Sequence, residues 1–255
     1  MNGAREAYDA LAIAYDGLFV NAGRGPWEEA YTPFLGNGVR LLDAGCGTGA
    51  DLARAVRGGC VATGTDLSPG MLGVARENLL RQALEANLVC ADLGDLGDTF
   101  PPASFDVIVS GFAALNTAGD PSRFAKASAG VLAPAGMLLL HFLTPGGLYD
   151  RAGHLTRGRF AEALGGWGGT VRSVQVGDHA VEHQLYNPVS LYRTHFERHF
   201  ECLRVGQVGL LTPDDGPSRM PRALAGALGQ VEAAVRWTPG LGGLGRFGIL
   251  VLRKR

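Results

Sequence analysis

Three glycines within five positions, Gly45, Gly47 and Gly49, follow the apolar run that ends in Leu41-Leu42-Asp43-Ala44 and precede a helical pattern beginning near Ala50. A strand that turns into a helix over so few residues needs backbone conformations open only to glycine. It also leaves the backbone bare enough for a ligand to lie against it. This stretch restricts the chain to α/β architectures that bind something at a strand-to-helix turn.

The rest of the first 145 residues continues the same rhythm. Short, nearly continuous apolar runs at 39–43, 60–65, 87–91, 105–110 and 137–142 alternate with helical patterns, as expected of strands covered on both faces. Ser68-Pro69, Asp120-Pro121 and Asn187-Pro188 each place a capping side chain before a proline at the first helical position. Repetition of this kind predicts a doubly wound, mostly parallel sheet with right-handed crossovers. Later the rhythm breaks. Residues 170–186 alternate around Gly177-Asp178 and predict a hairpin, which together with 145–169 forms a cap over the sheet. A helix from Asn187, a strand near 201–210, a helix near 221–237 and a last strand near 247–252 follow.

Composition narrows the function classes. A net charge of −1 over 255 residues offers no field for nucleic acid or an anionic membrane, and Arg253-Lys254-Arg255 is the one compact basic run. No apolar stretch approaches the ~20 residues of a membrane span, and charges at Arg5, Glu6, Asp9 and Asp16 interrupt any leader-like segment. The chain therefore reads as cytoplasmic. Arginine stands in for nearly all lysine amid abundant alanine and glycine, which points to a GC-rich bacterial genome. Cys46, Cys60, Cys90 and Cys202 lack metal-ligand spacing and read as reduced thiols. "HAVEH" (179–183) matches the H-x-x-E-H pattern of some zinc peptidases, but it alternates like a strand and brings no third ligand, so no metal is expected. "HFERH" (195–199) falls on an expected helix and reads as a solvated face.

The glycine loop fits two ligands. Gly45-x-Gly47-x-x-Ala50 satisfies a dinucleotide fingerprint, Gly45-x-Gly47-x-Gly49 the form that holds S-adenosylmethionine, and Asp66 closes the second strand where either needs a partner for ribose hydroxyls. Three features favour the second. Asp43 would repel a pyrophosphate and attract an ammonium group. Asp92, after the third strand, can accept from an adenine amino group. The closing strand "GRFGILVLRKR" also departs from a dinucleotide fold.

On "YDALAIAYD" (8–16), "LLDAGCGTG" (41–49), "GTDLSPGML" (64–72), "ADLGDL" (91–96), "FDVIVSGFAALN" (105–116) and "VLAPAGMLLL" (131–140), the chain resembles the class I S-adenosylmethionine-dependent methyltransferases with a Rossmann-like fold, in their small-molecule branch. The resemblance implies a seven-stranded mostly parallel sheet with an antiparallel last strand and a small cap insertion before strand six. It implies one domain over 1–255, with a helical lid at about 1–36, a cofactor-binding core at about 37–145 and the cap at about 146–190. Asp43 and the backbone of Gly45, Gly47 and Gly49 would lie along the methionine moiety, and Asp66 would hold the ribose. Leu67 and Met71 would face the adenine, and Asp92 and Leu93 would meet its edge. Gly111 and Phe112 would flank the sulfonium, and Tyr15 would close over the cofactor. "LAPAG" departs from the family, which commonly has two glycines after the proline.

The expected activity is methylation of O, N or C on a small molecule, with S-adenosylhomocysteine as product and no nucleic-acid or membrane partner. No general base stands out; His141, Asn116 and Tyr149 are the pocket candidates. Two rivals stay open: a NAD(P)-dependent oxidoreductase, and a cofactor-binding partner protein without catalysis. Both monomer and homodimer are compatible with the chain.

Overall fold

The computed structural model describes residues 2–18, 24–148, 152–153, 155, 158, 160, 171–176, 179–211, 222–238 and 240–255. Three helices lead in, α1 (Asn2–Leu11), α2 (Tyr15–Leu18) and α3 (Arg24–Tyr31). Then β1 (Arg40–Ala44), α4 (Ala50–Arg57), β2 (Val61–Asp66), α5 (Pro69–Arg81) and β3 (Asn87–Cys90) alternate as expected. The alternation continues through α6 (Leu96–Thr99), β4 (Phe105–Ser110), α7 (Ala114–Thr117), α8 (Pro121–Val131) and β5 (Leu132–Leu143). The hairpin strands β6 (Val171–Val176) and β7 (His179–Gln184) come next, and their turn at Gly177-Asp178 lies outside the described residues. A short helix Pro188–Leu191, strand β8 (Phe200–Val208), a helix Arg222–Val235 and strand β9 (Phe247–Lys254) complete the chain.

Seven strands form one sheet in the order β3-β2-β1-β4-β5-β9-β8, and β6-β7 form a separate ribbon. β1 through β5 pair in parallel, while β9 runs antiparallel to both β5 and β8. The antiparallel strand is thus the last in sequence and lies inside the sheet, next to its edge. Successive strand residues feed two cores. Leu42, Ile108, Leu138 and Leu140 join Phe124 and Phe142 on one face. Leu41, Val107, Val109 and Leu139 join Trp27, Tyr31 and Leu52 on the other. Burial on both faces is the reason these strands read as unbroken apolar runs.

The three proline-marked helix starts are capped as their residues demand. Ser68 accepts from the Met71 N–H at 3.0 Å, Asp120 from Ser122 at 2.8 Å, and Asn187 from Val189 at 3.0 Å and Ser190 at 3.2 Å. The expected helix under "HFERH" is corrected. A π-helical turn, Tyr192–Phe196, ends the helix there, and residues 197–199 turn into β8, so His195 and His199 are not one solvated helical face. His195 Nδ1 instead pairs with the Ser122 hydroxyl at 2.7 Å.

Candidate functional site

The carboxyl ends of β1, β2, β4 and β5 open into a cavity of about 1080 Å³, roofed by α1 and the hairpin. This is where open α/β sheets hold ligands. All the residues carried forward from the glycine-loop reading line it. Asp43, Gly45, Gly47 and Gly49 form its floor after β1. Asp66, Leu67 and Met71 follow β2, Asp92 and Leu93 follow β3, Gly111 and Phe112 follow β4, and Tyr15 comes from α2.

The loop is built from backbone that side chains rarely tolerate. Gly45, Gly47 and Gly49 have φ of 80°, 51° and 83°. A Cβ on Gly45 would lie 2.4 Å from the Ala114 Cβ, so the loop and α7 touch there. A Cβ on Gly47 would meet nothing within 4 Å, although the residue lines the cavity. Asp66 braces the loop from β2: it accepts from the Gly47 N–H at 2.9 Å and the Ser68 N–H at 2.9 Å. Asp92 accepts from the Gly94 N–H at 2.7 Å in a local turn.

Asp43 is 2% exposed, and its Oδ2 has no hydrogen-bond partner. Burial raises its carboxyl well above the usual range, and the neighbouring Asp51 and Asp66 add to this, while Arg24 and the Leu52 N–H oppose. A buried, unsatisfied carboxyl on a cavity wall is costly unless a cation or a donor arrives. The ammonium of an amino-acid moiety fits that requirement, and a pyrophosphate does not. Asp66 is also raised, first by burial and against the pull of the Ser68 and Gly47 amides.

Several site residues carry no obvious signal in the sequence. Asp51, in the first turn of α4, is buried and accepts from three groups on one face of α3: Arg24 at 3.0 Å, Trp27 Nε1 at 2.7 Å and the Tyr31 hydroxyl at 3.2 Å. Arg24 also lies over the Phe112 ring, 4.5 Å from its centroid. The i, i+3, i+7 spacing of Arg24, Trp27 and Tyr31 was the available clue, but the partner is a tertiary one. The N-terminal segment is tied down twice more. Asp9 accepts from the Ser68 hydroxyl at 2.5 Å and the Gly70 N–H at 2.9 Å, and Asp16 accepts from Thr48 Oγ1 at 2.5 Å.

The three candidates for a general base fare differently. Asn116 is buried and spends its amide on the backbone: it accepts from the Leu143 N–H at 2.8 Å and donates to the carbonyls of Leu143 at 3.0 Å and Gln184 at 2.5 Å. It ties the hairpin to the sheet. His141 is fully buried behind the wall, stacked 4.6 Å from the Phe247 centroid, with neither ring nitrogen bonded. Neither residue lines the cavity, so neither meets a reactant there. Tyr149 lies outside the described residues. Among the described residues, no group of His, Cys, Asp and Glu is arranged to hold a metal ion, and no helix is long and apolar enough to cross a membrane.

The strand order and the glycine loop define the class: a Rossmann-like class I methyltransferase fold. Within it, residues 42–140 match the family described as a methyltransferase domain. Over 145 residues it is 32% identical to the demethylmenaquinone methyltransferase of Symbiobacterium thermophilum, which covers 53% of this chain and 57% of that relative. Over 101 residues it is 33% identical to the ubiquinone biosynthesis O-methyltransferase of Coxiella burnetii, 40% of this chain and 42% of that one. The chain thus spans about half the length of the curated relatives it matches. The crystal structure of an S-adenosylmethionine dependent methyltransferase from Mesorhizobium loti superposes with a TM-score of 0.54 at 22% identity, over 88% of this chain and 96% of that one. That likeness is one of fold.

Proposed function

We propose that this protein is an S-adenosylmethionine-dependent methyltransferase acting on a small-molecule acceptor by in-line displacement. The observation that carries the reading is Asp43: a buried carboxyl with an unpartnered oxygen, set against a glycine loop with a second acid, Asp66, beneath it. Asp43 would hold the ammonium group, and the backbone of Gly45, Gly47 and Gly49 would run along the methionine moiety. Asp66 would take the ribose hydroxyls, Leu67 and Met71 the adenine face, and Asp92 and Leu93 its edge. Gly111 and Phe112 would flank the reacting centre.

When bound, S-adenosylmethionine supplies an electrophilic methyl group on a sulfonium. The chain's own part is to align the acceptor and exclude water, which accounts for much of such a rate. Tyr15 would close the site; burial and then the nearby Asp66 push its hydroxyl up to about 12, so it stays protonated and can donate. The names of the two relatives make demethylmenaquinone and ubiquinone precursors the first acceptors to assay.

The test is a calorimetric titration with S-adenosylhomocysteine beside NAD and NADPH. Micromolar binding of the first, lost in Asp66→Ala, is expected. Saturation by a nicotinamide cofactor instead would overturn the reading and restore the oxidoreductase. Binding with no methyl transfer to any small molecule in a metabolite screen would favour the non-catalytic alternative.

A further inference from the structure

The cavity is also lined by residues not assigned to the cofactor: Tyr8 of α1, whose ring lies 6.2 Å from that of Tyr15, Leu143 at the end of β5, Arg172 and His183 of the hairpin, and Phe247 of β9. His183 closes the "HAVEH" segment. Strand alternation turns Val181 and His183 inward, and Val181 packs on Ala7 and Leu11 of α1. The His183 side chain is 4% exposed.

Its hydrogen bonds fix its tautomer. Nδ1 sits 3.2 Å from the Val181 carbonyl, which can only accept, so Nδ1 carries the proton. Nε2 is left with its lone pair directed at the Tyr8 hydroxyl, 3.4 Å away. That is a loose bond, of the length catalytic pairs show before a substrate tightens them.

We infer that Tyr8 and His183 form a proton-accepting pair for the acceptor, and that the acceptor presents a phenolic or enolic hydroxyl. This rests on the methyltransferase reading and names the substrate class of the same site. The acceptor's O–H bond breaks, and its proton passes to the Tyr8 oxygen as Tyr8 gives its own proton to Nε2 of His183. The electron pair stays on the acceptor oxygen, where the methyl group is to be received. An imidazolium and an aryloxide replace two neutral groups, so charge is conserved, and the imidazolium afterwards loses its proton to solvent. Arg172, paired across the ribbon from His183, favours the anion.

The environment selects the acidity of the hydroxyl. Burial lowers the His183 pKa, the Val181 carbonyl opposes this, and Arg172 lowers it further. The Tyr8 hydroxyl is itself pushed well up, by burial first and then by Tyr15 and Asp66, so it rests protonated and passes a proton on only as it receives one. α1 brings Tyr8 and Arg5 to the cavity, turns Asp9 to Ser68 and Gly70, and leaves Glu6 exposed. β6 brings Arg172, and α7, Ala-Leu-Asn-Thr, brings no charge. An imidazole lies far from an aliphatic alcohol in acidity, and a carboxylic acid needs no base at neutral pH. A phenol or an enol lies between. Leu143 and Phe247 supply the apolar wall that a flat ring needs.

The test uses para-nitrophenol, whose anion absorbs in the visible and whose neutral form does not. The intact protein is saturated with S-adenosylhomocysteine and titrated with the probe at a pH where the free probe is mostly protonated. The anion band is expected to grow with protein concentration, to vanish in His183→Gln and to shrink at least severalfold in Tyr8→Phe. Calorimetric affinity for S-adenosylhomocysteine should stay within about twofold in both variants, which also shows that they are folded. No band with the native protein, or a band that survives His183→Gln, overturns the proposal while leaving the methyltransferase reading intact. Failure of the native protein to bind S-adenosylhomocysteine removes the reading itself.

Discussion

At the scale of single residues, the site depends on what is missing as much as on what is present. Gly47 has nothing within 4 Å of the place a Cβ would occupy, and its φ of 51° lies in the left-handed region. Gly47→Ala should therefore cost the fold only about 1 kcal/mol, while its methyl enters the space a ligand must fill. Denaturant unfolding and S-adenosylhomocysteine titration of the same variant should show a small stability loss beside a loss of affinity of at least tenfold. Equal small effects on both would mean that no ligand lies against this loop. Asp43 makes a second prediction. Its carboxyl holds a proton to higher pH than an ordinary carboxylate, because of burial first and its acidic neighbours next. Pairing with an ammonium would lower that value. Binding of S-adenosylhomocysteine should then release protons and tighten as pH rises through that raised value. Titrations in two buffers of different ionisation enthalpy measure the release, and no buffer dependence would disconnect Asp43 from the ligand.

Elements are held in place by a few buried side chains. Asn116 satisfies the backbone of Leu143 on β5 and reaches the Gln184 carbonyl of β7, so it connects sheet and ribbon. Asn116→Ala should leave those buried groups unpaired at about 1–3 kcal/mol. Hydrogen exchange should quicken in the hairpin and at the end of β5, with the β1–β4 amides unchanged; uniform quickening would contradict a local tie. The "LAPAG" departure has a structural counterpart. Ala135 adopts φ 57°, a conformation glycine accepts freely and alanine does not. Ala135→Gly is expected to raise the unfolding free energy by up to about 1 kcal/mol, readable as a shift of the denaturant midpoint at constant slope. Phe112 and Ala113, with φ of 45° and 68°, hold a similar strain beside the cavity. There a distorted loop lets Phe112 lie under Arg24.

For the molecule as a whole, pH acts through groups that the fold takes out of water. His141 is enclosed by Trp27, Phe112 and Phe247, and burial first, then Arg24, pushes its pKa down to about 3. The unfolded chain protonates this imidazole near 6.5 and the folded one does not. Its contribution is therefore complete above that value and is lost as pH falls toward the folded value, by about 1.4 kcal/mol per pH unit. The raised carboxyls of Asp43, Asp51 and Asp66 act in the opposite direction, so the difference between variants is the clean quantity. His141→Phe should gain on the native protein by that slope below pH 6.5. Parallel pH curves for the two proteins would show that His141 titrates normally.

Most of the architecture was legible in the chain itself. Unbroken apolar runs mark strands covered on both faces, and a capping residue before proline marks a helix start, because both are local consequences of burial and backbone chemistry. The glycine loop, with Asp43, Asp66 and Asp92 at successive strand ends, was legible for the same reason: strand ends of a doubly wound sheet converge on one edge. Tertiary structure alone decided the remainder. "HFERH" reads as a helix until the π-helical turn delivers the chain to β8. Nothing local to Asp51 shows that it will receive Arg24, Trp27 and Tyr31, and nothing local to His183, at the end of a motif that suggested metal, shows that Tyr8 will meet it across 175 positions. Whether a polar side chain faces a ligand, a carbonyl or a closed aromatic shell depends on what packs against it, and periodicity carries no record of that.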